Sequence, residues 1–219
     1  MSEPNEKCIG YLKYYGESVE SGCLDARKSA DALAGFDEAL RYLIYKEDPT
    51  LRAIEFEFPV KIEKGSWGIF IPENIEALIT LAGGATLLTA YFGTLAVKAA
   101  NDGVLETGPA KNIKKTVKGA ITAFRWLAEI AKHCGKLGQS GHKNVTFSDH
   151  KTVQIQRKDG SPLEVPYQYF ELYTKAPSSL LDKVSSVIEQ GRELEIGVVE
   201  TAGIVRTQIS VSEKAIFCK

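Results

Sequence analysis

The chain reads as an α+β protein, and three features of its 219 residues carry that reading. Two long segments repeat apolar residues at three- and four-residue steps, as amphipathic helices do. One segment alternates between apolar and polar residues, as a half-buried strand does. The last third breaks into short strand-like runs separated by turn residues. The predicted order is N-terminal strands with an amphipathic helix and a two-helix hairpin (about 73–100 and 111–135). A mainly antiparallel β half with one helix (about 178–190) comes after them. The Gly-rich stretch GKLGQSGHKN divides this into a unit over 1–138 and a unit over 142–219, or joins them as one continuous domain.

The run KCIGYLKYY, closed by Gly16, predicts a first strand over 7–15. After a polar turn, Ala26, Ala30, Leu33, Phe36, Leu40 and Ile44 mark a helix, with Ser21 or Asp25 as its N-cap. Gly35 in its middle costs about 1 kcal/mol relative to Ala, so it implies close packing against another element. Asp48-Pro49 ends the segment. Ile54, Phe56, Phe58, Val60 and Ile62 then alternate with polar residues, and Pro59 places that strand at an edge or a bulge. The turn at 63–66 returns the chain over 67–71 as a hairpin.

The stretch ALITLAGGATLLTAYFGTLAV (77–97) carries no charge. Its length suits a bilayer, yet its mean hydropathy of roughly 1.6 is borderline for a span. Leu78, Leu81, Leu88, Phe92 and Leu95 form a large-residue stripe, and Ala82, Thr86, Thr89, Gly93 and Ala96 form a small one beside it. That segregation predicts a buried helix whose small stripe is a packing seam, within the subunit or between copies. A second helix over 111–136 has Ile113, Val117, Ala120, Phe124, Leu127 and Ala131 on its apolar side. Lys111, Lys115, Lys118, Arg125, Lys132 and Lys136 line another side, an expected solvated face.

In the last third, strands are expected over 145–147, 152–157, 163–173, 193–200 and 204–211, with a hairpin turn at 158–161. The helix between Ser178 or Ser179 and Gln190 would turn Leu180, Leu181, Val184, Val187 and Ile188 inward.

Function is less legible. A net charge of −1 argues against general nucleic-acid binding. Four scattered cysteines without a C-x-x-C pair, and a polar start without a signal-peptide layout, predict reduced thiols in the cytoplasm. His133, Cys134, His142 and His150 gather around the Gly-rich stretch at spacings that match no zinc pattern, so no metal and no cofactor is expected. GKLGQSG lacks the order of a P-loop. Glu55, Glu57, Asp37 and Glu38 lie on polar faces, without the apolar setting of an acid–base pair, and no catalytic residue is named.

Tyr14-Tyr15-Gly16, Leu24-Asp25-Ala26, Ala30, Leu33, Gly35-Phe36 and the Gly65-Ser66 turn with its apolar strand are similar to an uncharacterised α+β domain. That domain occurs in bacterial and phage genomes, sometimes near anti-phage defence genes. The resemblance covers the first 135 residues and implies a microbial cytoplasmic setting and a binding role in phage–host conflict. The resulting expectation is a non-enzymatic, homo-oligomeric binding protein. Its ligand would be a protein or a small phosphorylated, nucleotide-like molecule, with Lys111, Lys115, Lys118, Arg125 and Lys132 as the anion-binding candidates. The rival readings are a membrane-acting effector using 77–97 and, third, a hydrolase of unknown type.

Overall fold

A computed structural model describes residues 8–53, 58, 60–63, 66–73, 109–139, 142, 144–147, 151–157 and 159–218. The uncharged stretch 77–97, its proposed seam at Ala82, Thr86, Thr89, Gly93 and Ala96, the first half of the alternating strand, Pro59 and His150 lie outside the described residues.

The fold is α+β. Strand β1 (Cys8–Tyr15) leads into helix α1 (Ala26–Glu47), and strands β2 (Val60–Glu63) and β3 (Ser66–Pro72) form a hairpin. Helix α2 (Pro109–Cys134) is succeeded by strands β4 (Val145–Phe147), β5 (Thr152–Gln156) and β6 (Pro162–Pro166). Then come helices α3 (Tyr167–Lys175) and α4 (Asp182–Ser186), strands β7 (Glu193–Glu200) and β8 (Gly203–Ile209), and a final short helix α5 (Lys214–Phe217). Five strands make an antiparallel sheet in the order β2-β3-β1-β7-β8, and β4-β5-β6 make a second.

The large sheet explains why the two expected units share one core. Strand β1 lies between β3 and β7, so residues from both sides of the Gly-rich stretch are hydrogen-bonded neighbours. One contiguous apolar cluster runs from Ile9 to Phe217. The stretch itself is tied down at its start: Leu137 is buried, and the Tyr173 hydroxyl donates to the carbonyls of Gly135 and Lys136. The apolar cluster and the large sheet both take members from either side of this stretch.

On one sheet face Leu12, Tyr14, Trp67, Ile69, Leu194 and Ile196 turn inward, as the period-two geometry of strands requires. Helices α1 and α2 pack together over that face. Their contact centres on Phe36, which meets Phe124 edge-on at 5.9 Å between ring centroids. Gly10 lets α2 approach β1, since a Cβ there would lie 2.8 Å from Ile121 Cγ2. Asp25 caps α1 by accepting from the Arg27 and Lys28 amides, and Asp48 ends it. Gly35 serves the close approach its position implies: a Cβ there would lie 2.7 Å from the Val184 backbone nitrogen. Ala26 and Ala30 are exposed, while Ala32, Ala39 and Leu43 are buried, so the inner face of α1 is rotated from its expected line.

The opposite sheet face carries a polar network. Tyr11 donates to Glu195 at 2.7 Å, Gln208 Nε2 donates to the other carboxylate oxygen at 3.0 Å, and Arg206 Nε donates to the Tyr11 hydroxyl at 3.1 Å. Burial, reinforced by the Glu195 carboxylate, pushes the Tyr11 phenol up to about 12. The Tyr11 ring lies over Gly197, its cross-strand partner.

Three elements differ from the sequence reading. The expected strand over 163–173 ends at Pro166, and Tyr167–Lys175 is helical. Aromatic residues favour strands, but Phe170 and Tyr173 are three apart and both buried, which is a helical spacing. The expected helix over 178–190 contracts to Asp182–Ser186, although Leu181, Val184, Val187 and Ile188 are buried as foreseen. The Lys214 ammonium donates to the carbonyls of Ser186 and Ile188 around its end. The last strand closes at Ile209, and a 3-10 turn over Val211–Glu213 with a capping box at Ser210 succeeds it.

Candidate functional site

The basic line on α2 is the anion site expected from the sequence, and the structure engages most of it with the protein itself. The Lys118 ammonium pairs with Glu200 at 2.9 Å. Arg125 is 7% exposed, with its guanidinium 4.3 Å from the Trp126 ring centroid and Nη1 donating to the Thr207 hydroxyl. That hydroxyl donates in turn to Glu129, whose other oxygen lies 3.6 Å from His133 Nε2. Lys132 donates to the Gln208 carbonyl at 2.9 Å and faces Glu213 at 3.4 Å. Lys136 lies 3.8 Å from Asp182. The line is thus largely a seam joining α2 to β7, β8 and the turns beyond them, not one solvated face. Lys115 is exposed, and Lys111 belongs to the first turn of α2. Neither described cavity is lined by Lys115, Lys118, Arg125 or Lys132.

Of the histidine and cysteine group, His133, Cys134 and His142 are described. The Asn144 amide donates to the His133 carbonyl and reaches Cys134 Sγ at 4.0 Å. His142 packs against the Tyr173 ring at 5.5 Å. Among the described residues no three His, Cys, Asp or Glu side chains are placed to share a metal ion. Burial pushes the Cys134 thiol up to about 11, with the Asn144 amide acting the other way. Since the thiolate is the nucleophile, this shift lowers the reactivity of Cys134 at neutral pH. Alkylation at pH 7.5 will therefore modify exposed Cys23 well before Cys134, and Cys134 will gain reactivity only as pH approaches 11. Peptide mass mapping over a time course checks this, and equal rates would refute the burial argument.

What the helices do build together is a cleft of about 250 Å³ walled by α1, α2 and α3. Helix α2 supplies a floor of small residues, Gly119, Ala120 and Ala123. A Cβ on Gly119 would meet nothing within 4 Å, so this glycine faces open space. Helix α1 contributes Leu43 below and Lys46 and Glu47 at the exposed rim. Helix α3 contributes Gln168, Tyr169 and Glu171, with Lys175 at the rim paired to Glu171 at 2.6 Å. Two cations and two carboxylates therefore surround the opening, and their charges balance.

Tyr169 is the best-positioned side chain in the cleft. Its ring stacks on Trp126 at 5.9 Å with 19° between planes, and Arg125 lies over the same indole. Burial raises the Tyr169 phenol above its ordinary range, with the Gln168 amide drawing it back. Sequence reasoning misses this site because a strand over 163–173 removes one of its walls. The surviving signal is Gly119 beside Ala120 and Ala123 in an otherwise strongly amphipathic helix.

Among the described residues no helix is long and apolar enough to cross a membrane. No protein-family model, no curated protein and no solved structure matches the chain.

Proposed function

We propose that the protein acts by binding a small ligand in the cleft between α1, α2 and α3. The observation that supports this is the open floor at Gly119, facing a half-buried tyrosine that Trp126 holds in place. Ligand sites are concave, mostly apolar, and edged by a few polar groups that orient the guest. At about 250 Å³ the cleft suits a molecule at or below the small end of drug-sized ligands. The reading keeps the binding role expected from the sequence and moves its location. The cations Lys118, Arg125 and Lys132 hold protein partners, so a ligand would have to displace them. Binding is favoured over nucleophilic catalysis at Cys134, whose thiol is held protonated.

The test compares the wild-type chain with Gly119→Val. A Cβ at 119 meets nothing within 4 Å and glycine is a poor helix former, so the variant is expected to fold with little change in stability while its methyl groups occupy the open floor. Native mass spectrometry of the protein purified from cells, then thermal shift with a metabolite panel, reads the result. A bound molecule or a stabilising metabolite that Gly119→Val loses supports the cleft. A ligand held equally by both proteins, or no ligand for either, overturns it.

A further inference from the structure

The chemistry of the cleft narrows its guest. We infer that the ligand is an uncharged nucleoside whose base, of the adenine type, stacks on Tyr169, an inference that rests on the cleft being the binding site. Three features point there. First, Arg125, Trp126 and Tyr169 form a continuous stack, with the guanidinium 4.3 Å from the indole and the indole 5.9 Å from the phenol ring. Trp126 does not line the cleft and Tyr169 does, so the phenol ring is braced by an indole that lies outside the cleft lining. A ring held this way loses little freedom on binding, which favours stacking of a flat partner.

Second, α2 lines the cleft with Gly119, Ala120 and Ala123, so no long side chain of that helix enters it. The slot between a braced ring and a floor without long side chains admits a planar heterocycle and disfavours a branched aliphatic one. Third, Gln168 lines the cleft beside Tyr169, and with one amide N–H engaged by the Tyr169 hydroxyl its second N–H and its carbonyl remain as a donor and an acceptor. That pairing matches the donor and acceptor on one edge of adenine. The rim charges of Lys46, Glu47, Glu171 and Lys175 cancel, so nothing there selects a phosphate. The guest is thus the nucleoside and not the nucleotide.

The protein is titrated calorimetrically with adenosine, ribose and adenosine 5′-monophosphate. Adenosine binds, ribose does not, and the monophosphate binds no tighter than adenosine. Tyr169→Leu weakens adenosine roughly 5- to 140-fold, the conversion at 1.4 kcal/mol per tenfold of ~1–3 kcal/mol of base–aromatic stacking. Tyr169→Phe, which keeps the ring, stays within about threefold, and it serves as the control should the leucine variant unfold. A monophosphate that binds ten times tighter overturns the uncharged ligand. Failure of adenosine to bind, while another ligand still distinguishes wild type from Gly119→Val, overturns the nucleoside and leaves the cleft standing. Adenosine binding that Gly119→Val does not weaken overturns both.

Discussion

Replacing Phe124 with alanine will lower the free energy of unfolding by about 3–5 kcal/mol, the range for truncating a fully buried phenylalanine. The ring is wholly buried and meets Phe36 edge-on where α1 crosses α2. It is surrounded by elements that cannot all move inward. Helix α1 is held to α4 by the close approach at Gly35, and α2 is held to β1 by the contact of Ile121 with Gly10. The cavity will persist, which places the cost towards the upper part of the range. Urea denaturation checks this through a lowered midpoint at unchanged slope. A loss below about 1 kcal/mol would mean that the helix pair closes over the gap, contrary to the anchoring at Gly35 and Gly10.

The second large effect is expected at Gly197. A Cβ there would lie 2.2 Å from Tyr11 Cζ and 2.7 Å from its hydroxyl oxygen. Moving the ring breaks the hydrogen bonds of its hydroxyl with Glu195 and Arg206. Gly197→Ala must therefore displace Tyr11 and strip a hydrogen bond from a carboxylate that is 4% exposed. Overpacking and the lost charge-assisted bond together cost about 2–4 kcal/mol. A double-mutant cycle isolates the cause. In a Tyr11→Ala background Gly197→Ala should cost under about 1 kcal/mol, a coupling between the sites in the usual range for residues in contact. Additive costs would show that backbone conformation, not the ring, demands glycine at 197.

Much of the local structure was legible. The α2 stripe Ile113, Val117, Ala120, Phe124, Leu127 and Ala131 is buried throughout, because a 3.6-residue period reports directly which side faces a core. Asp25 caps α1, and Asp159-Gly160 turns β5 into β6 with the carboxylate accepting from Ser161. These features depend on neighbours a few residues away. The aromatic run after Pro166 failed the same method, since tyrosine and phenylalanine favour strands and only the spacing of Phe170 and Tyr173 favours a helix. With that run read as a strand, the cleft had two walls instead of three. The partners of the α2 cations were not legible for a related reason. Helical geometry says on which side Lys118, Arg125 and Lys132 lie, and not that β7, β8 and the turn after them arrive on that side.

The sequence by itself determined the fold class, the positions of both long described helices, the β2–β3 and β5–β6 hairpins and the need for a small residue at 35. Each is set by periodicity, turn chemistry or backbone sterics over a short span. Only the tertiary structure decided that β1 sits between β3 and β7, which merges the two halves into one core. It alone turned the basic line into a seam and brought α1, α2 and α3 around Gly119 and Tyr169. Those outcomes depend on pairings between residues as far apart as Tyr11 and Glu195, whose energies arise from contact in space and leave no period along the chain.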